Sequence, residues 1–157
     1  MSIVKLIEQL NNLSNCEVAP PQGIPAIEIK IPTDLEEFYR LAGGARLFEG
    51  ADYAIDIVAP NQFVRANPVI VGEACRDDIS FDWFIIAQEG EQRLTLDLNP
   101  DRYGRCYDSF WDQHGIPGEC PVIALSFTHL LAQLIQSKGN YWYWLQENFI
   151  SLGDSYD

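Results

Sequence analysis

The sequence predicts an α+β fold: a mixed, mainly antiparallel sheet flanked by N-terminal and C-terminal helices, in a single domain spanning 1–157. Three observations lead there. The apolar period is helical near both ends of the chain, over Ile3 to Leu13 and again over Leu130 to Ile135. Between them it changes to alternation, most clearly in three consecutive runs from Trp83 to Trp111 that read as a meander. The length of 157 residues suits one domain, and no repeat, low-complexity stretch or linker divides it.

Taken in order, Ile3, Leu6, Ile7, Leu10 and Leu13 share one face opposite Lys5, Glu8, Gln9 and Asn12, which predicts an amphipathic first helix. Pro20, Pro21 and Gly23 make Glu17 to Gly23 a connector. Ala26 to Ile31 alternates Ile27, Ile29 and Ile31 with Glu28 and Lys30 and predicts a short strand or extended segment. Thr33 and Glu36 form a capping-box pattern after Pro32, and Leu35, Phe38, Tyr39 and Ala42 carry a second helix to a stop at Gly43-Gly44. Ala45 to Phe48 and Tyr53 to Val58 read as strands about the turn Glu49 to Asp52. Pro60 to Asn67 is a connector with room for one helical turn, Val69 to Val71 a short apolar run, and Asp77 to Asp82 a polar stretch expected at the surface.

The meander follows. Trp83 to Ala87, Leu94 to Leu98 and the alternating run from Cys106 to Trp111 are its strands, joined by turns at Glu89 to Gln92 and Asn99 to Gly104. Gly115, Pro117, Gly118 and Pro121 make Asp112 to Pro121 a loop, and Val122 to Leu125 brings the chain back. Ser126 caps a helix with Leu130, Leu131, Leu134 and Ile135 on one face, ended by Lys138-Gly139. In the aromatic run Tyr141 to Leu145, Trp142 and Trp144 read as cover for the core edge rather than as ligand contacts.

Ten Lys and Arg against 23 Asp and Glu give a net charge of −13 and an isoelectric point near 4.3. A surface this acidic repels phosphate backbones and anionic lipid headgroups, which argues against nucleic-acid and membrane-surface partners and for a basic protein partner. No run of 18 apolar residues predicts a membrane span, and Glu8, Gln9, Asn11 and Asn12 break up what a signal peptide would require. The expected compartment is therefore cytoplasmic. Cys16, Cys75, Cys106 and Cys120 contain no CxxC pair and read as reduced, structural thiols, although their even number leaves a disulfide open.

Asp97-x-Asn99-x-Asp101 starts like a calcium loop, but Arg102 stands at its sixth position, Asp108 at its twelfth, and Pro100 stiffens it. It reads instead as an Asx-rich hairpin turn, and no metal or cofactor is expected. Ser109, Asp112 and His114 lie close together without a G-x-S-x-G elbow, and Gly43-Gly44 ends a helix instead of opening one. No catalytic residue is assigned. Between Glu73 and Asp112 lie ten acids and four arginines, a local balance of −6. This segment is either a solvated sheet rim or a recognition face for a cationic partner, with aromatic anchors among the acids. The candidate partner-binding residues are Asp97, Asp101, Tyr103, Tyr107, Trp111, Asp112 and His114. A third reading makes Asp97, Tyr107 and His114 the lining of a small-molecule pocket.

Three segments resemble a known family. Ile31-Pro-Thr-Asp-Leu-Glu-Glu-Phe-Tyr-Arg-Leu-Ala-Gly-Gly44 is similar to the helix-and-glycine motif of the SUKH superfamily, which includes the Smi/Knr cell-wall assembly regulators of fungi. Trp83 to Asp112, with Leu96-Asp97-Leu98-Asn99-Pro100, Gly104 and Cys106-Tyr107, resembles its central hairpin, and Ile123 to Leu131 its closing helix. The resemblance is strongest over 31–136. It implies an α+β fold without catalytic residues and a binding role: in bacteria, an immunity protein that neutralises a polymorphic or contact-dependent toxin, many of them nucleases, by direct association. The alternative it implies is an intracellular regulatory scaffold of the Smi/Knr type.

Overall fold

The computed structural model describes residues 1–157. Helix α1 (Ile3–Asn11) buries Ile3, Leu6, Ile7 and Leu10, the stripe that the sequence marks, and the Ser2 hydroxyl accepts the Lys5 amide at its start. Helix α2 (Thr33–Leu41) buries Leu35, Phe38 and Tyr39, and α4 (Phe127–Ser137) buries Leu130, Leu131, Leu134 and Ile135 behind a Ser126 cap that accepts the His129 amide. These three helices pack against one another and cover one face of the sheet.

The sheet has seven strands in sequence order: β1 (Glu17–Val18), β2 (Ala45–Leu47), β3 (Ile55–Ile57), β4 (Trp83–Glu89), β5 (Gln92–Asp97), β6 (Cys106–Asp108) and β7 (Val122–Ala124). Every pairing is antiparallel, so the sheet is not mixed. Each strand pairs with the one before it, which leaves no crossover of the kind a parallel pair requires. A bulge between Ile85 and Ala87 interrupts the alternation of β4, and Trp83 to Ala87 are all buried because both faces of this strand are covered.

Between β3 and β4 the chain makes a 3-10 turn at Pro60–Gln62, the short helix α3 (Ala66–Ile70) and a second 3-10 turn at Ile79–Asp82. With the loop Asp112 to Pro121 and residues 152–156, this insertion encloses a second cluster of Trp83, Tyr107, Cys120 and Val122 on the face away from the helices. The last residues lie along β7. Val122 donates its amide to the Gly153 carbonyl and Ser155 to that of Cys120, both at 2.9 Å. The Asp154 carboxylate accepts the amides of Gly118 at 3.0 Å and Cys120 at 3.1 Å.

The meander, α1 and α4 match the sequence reading; three elements do not. Glu17–Val18 is a strand although the prolines beyond it mark a connector, because β2 offers it a paired edge. Ala26 to Ile31 forms no strand: the backbone bends at Glu28 and Ile29, and β1 and β7 already bound the sheet. Val69 joins α3 rather than a separate apolar run. The capping box at Thr33 and Glu36 is also absent. Helix α2 starts after Pro32 with no side-chain cap, and Asp34 reaches across to accept the amide and hydroxyl of Thr128 at 2.9 and 2.8 Å, fastening α2 to α4. The glycine pair after α2 has a steric reason: a Cβ at Gly43 would sit 2.3 Å from the Pro20 carbonyl oxygen, and one at Gly44 2.7 Å from that of Ile57. All four cysteines are free, and no helix is long and apolar enough to cross a membrane.

Candidate functional site

The seven candidate residues separate into three groups. Asp97, Tyr107 and His114 are buried, so none of them is a surface contact as the sequence reading has it. Asp97 ends β5, and its carboxylate accepts Trp83 Nε1 at 3.1 Å, the Tyr107 hydroxyl at 2.5 Å, Arg102 Nε at 3.1 Å and the Asn99 amide at 2.9 Å. Burial outweighs these donors and holds the carboxyl above its ordinary pKa. Burial, seconded by the Asp97 charge, also pushes the Tyr107 phenol up.

The Trp83 ring lies 4.5 Å from that of Tyr107 and meets His114 and Tyr156 edge-on at 5.6 and 5.8 Å. His114 Nε2 is 2.6 Å from Asn67 Oδ1. Asn67 Nδ2 donates to Ser80 Oγ at 2.9 Å and to the Ala74 carbonyl at 3.2 Å, which makes its Oδ1 an acceptor and assigns the imidazole proton to Nε2. Nδ1 is left without a partner. Burial pushes the imidazole down to about 4 against the opposing charge of Asp78, so His114 is neutral at pH 7. The network continues through Ser80 Oγ to Asp78 Oδ2 at 2.5 Å, which also accepts the Tyr156 hydroxyl at 2.7 Å.

This arrangement is a packed polar core. Asp97, Tyr107 and His114 are buried, and five surface clefts of 180 to 680 Å³ are lined by other residues, so the geometry gives no support to a pocket formed by these three. The Asp97-x-Asn99-x-Asp101 segment is a pair of Asx turns, with the Asp101 amide on Asn99 Oδ1 at 2.9 Å. No group of three or more His, Cys, Asp or Glu is placed to hold a metal ion. Ser109 is buried with its hydroxyl 2.8 Å from Thr95 Oγ1, away from His114 and its Asn67 partner.

The remaining four candidates are exposed, at opposite ends of β5. Asp101 and Tyr103 follow the Asp97 end; Tyr103 is 41% exposed and donates its hydroxyl to the Lys30 carbonyl. Trp111 and Asp112 lie at the Gln92 end, where the Trp111 amide donates to Gln92 Oε1 at 3.4 Å and the indole is 64% exposed. The strand between them spans roughly 17 Å at about 3.3 Å per residue. The acid-rich segment is also less continuous than its sequence. Asp97 and Asp108 are buried, Asp82 pairs with Arg65 at 3.2 Å, and Glu89 pairs with Arg46 at 2.6 Å.

Sequence reasoning missed Asn67, Ser80 and Tyr156, which complete the network from positions far apart in the chain, with no local spacing to announce them. It missed the setting of Asp108 as well. Trp144 Nε1 donates to Asp108 Oδ2 at 2.9 Å and the Phe110 amide to Oδ1 at 3.1 Å, while burial pushes the carboxyl up to about 6. The aromatic run was the available signal, since a buried indole N–H requires an acceptor.

Two comparisons bear on this site. A family model described as SMI1 / KNR4 family (SUKH-1) matches residues 26–133. Immunity protein YokJ of Bacillus subtilis (strain 168) is 51% identical over 160 residues, an alignment that covers 100% of this chain and 97% of that protein.

Proposed function

The chain belongs to the SMI1 / KNR4 family (SUKH-1), and on that premise we propose that it is an immunity protein that neutralises a toxin by binding it. The observation that carries the reading is identity of 51% to immunity protein YokJ over 100% of this chain and 97% of that protein. The mechanism is stoichiometric occlusion in the cytoplasm, with no catalytic step. A net charge of −13 accelerates encounter with a basic domain, and a toxin that acts on nucleic acid has such a domain because its substrate is polyanionic. Affinity then comes from exposed aromatic and apolar side chains buried at the contact, since exposed charges contribute more to rate than to residence.

Coexpression with the toxin encoded beside this chain's gene tests the proposal. Restored growth and a 1:1 complex on gel filtration are expected. Growth arrest despite soluble immunity protein, with no complex, would sink it.

A further inference from the structure

Phe110, the residue before the exposed Trp111, belongs to an aromatic surface assembled from three separate parts of the chain. The Trp142 ring meets Tyr53 at 5.1 Å and 84°, lies 5.9 Å from Phe110, and stacks on Trp144 at 5.3 Å and 20°. Tyr53, Phe110 and Trp142 are half-buried, while Trp111 and Leu145, the chain neighbours of Phe110 and Trp144, are 64% and 59% exposed. Trp144 is fixed from below by its bond to Asp108. Tyr53, Phe110, Trp142 and Trp144 are held by one another before any partner arrives, so little of their side-chain entropy remains to be lost on contact.

Acidic side chains outnumber basic ones around this surface, whose nearby cations are Arg93 and Lys138, the latter next to the Gly139 that accepts the Tyr53 amide. Asp52 precedes Tyr53, Asp112 follows Trp111, Glu91 adjoins Gln92, and Glu147 follows Leu145 by two positions; all four are exposed. None belongs to an ion pair: the chain's five salt bridges use Glu36, Asp56, Glu89, Asp82 and Asp97. The chain's own cation–π contacts lie elsewhere, where Arg65 and Arg76 cover Phe81 and Phe84. Arg93, on the strand leading from the hairpin, turns its guanidinium to the Glu91 carbonyl at 3.3 Å. The opposite end of β5 differs. There Tyr103 already bonds to the Lys30 carbonyl, and Arg102 neutralises Asp97.

We propose that this ledge of Tyr53, Phe110, Trp111, Trp142 and Leu145 is the docking surface, and that it receives an arginine- or lysine-bearing segment of a basic protein. An exposed indole face attracts a guanidinium or ammonium group, more strongly once water is excluded, and four unpaired carboxylates complement the remaining positive charge. The inference rests on the immunity reading and narrows it to one end of the sheet.

The test is calorimetric titration of the catalytically inactivated toxin domain encoded beside this chain's gene into four variants. Trp111→Ala and Asp112→Lys probe the ledge; Tyr103→Ala and Asp101→Lys probe the opposite end. Asp101, Trp111 and Asp112 are exposed and make no side-chain hydrogen bond, so their variants should melt with the wild type and exclude misfolding as a cause, while Tyr103→Ala should melt slightly lower for loss of its bond to Lys30 without losing affinity. Trp111→Ala should weaken binding about 30-fold, in the range of an interface hot spot, and Asp112→Lys should slow association and flatten its salt dependence. The far-end variants should bind within about threefold of wild type. A complex that tolerates both ledge substitutions, or is lost on the far-end ones, overturns the ledge while leaving immunity intact. A wild-type protein that binds no toxin overturns immunity and the ledge together.

Discussion

On one face of the sheet, helices α1, α2 and α4 bury a cluster of 34 hydrophobic residues with no charged side chain among them. On the other, Trp83, Tyr107, Cys120 and Val122 form a cluster of four, set among Asp97, His114, Asn67 and Ser80. The first face is held mainly by apolar area, which is non-directional, and its buried carboxylate Asp108 lies at the edge beside Trp144. The second has too little apolar area to hold the insertion and the chain end by itself, and it depends on a hydrogen-bond network that is costly to leave half made. Asp97 illustrates the difference: it accepts from three side chains and a backbone amide, so its removal would orphan several donors at once.

Four measurements would break or sharpen this contrast. The largest effect is expected on the helical face, where Phe38→Ala should cost about 4 kcal/mol in urea unfolding, because Phe38 is fully buried against Tyr39 and Phe127. That loss should be the same at pH 5 and pH 7. On the polar face, Asp97→Ala should cost roughly 3 kcal/mol by leaving Trp83, Tyr107 and Arg102 unpaired, and Asp97→Asn should recover part of it. Equal losses for Asn and Ala would show that the site is held by packing alone.

The third measurement uses pH, and two groups oppose each other in it. The folded state keeps His114 neutral to about pH 4, whereas the unfolded chain protonates it near 6.5, so the unfolded state binds more protons and stability falls as pH drops through that window. At about 1.4 kcal/mol per pH unit separating the two values, the full loss is roughly 3 to 4 kcal/mol. Asp108 has the reverse sign. Its folded pKa of about 6 exceeds the ordinary 3.8, so the folded state binds more protons between those limits and gains stability on acidification. Wild-type stability should therefore change little from pH 6 to 4 on account of these two residues. His114→Gln should become more stable across that range and Asp108→Asn less stable, a divergence visible in thermal melts. The smallest effect is expected at Tyr156→Phe, about 1 kcal/mol, for loss of the hydroxyl bond to Asp78.

The parts legible in sequence are those whose cause is local. The alternation of Leu94, Leu96 and Leu98 and the helical stripe Leu130 to Ile135 come from the pleat and the helix turn themselves, and both appear where the pattern puts them, save that Leu98 falls one residue beyond β5. The candidate surface was legible only in part. Trp111, Asp112, Asp101 and Tyr103 are exposed as a contact residue must be, but Tyr107 points to the opposite face from its strand neighbours Cys106 and Asp108, a face that looks open until the insertion from α3 and the chain end covers it. Nothing near His114 in sequence forecasts Asn67, 47 positions away. Thr33 and Glu36 read as a capping box, yet it is Asp34 between them that bonds, and it serves Thr128 from 94 positions away, because an exposed first turn can take water while a junction between two helices cannot.

The strand order has a consequence for how the molecule is made. Each strand from β2 onward pairs with the one translated just before it, so the sheet can zip up hairpin by hairpin as the chain leaves the ribosome, with no strand held waiting for a distant mate. The helical layer has the opposite timing. α1 is synthesised first and α4 late, and they touch, so the apolar face of the growing sheet stays open until α4 arrives to close it. The interval between β4 and α4 is thus the period in which a nascent chain most needs shielding from its neighbours.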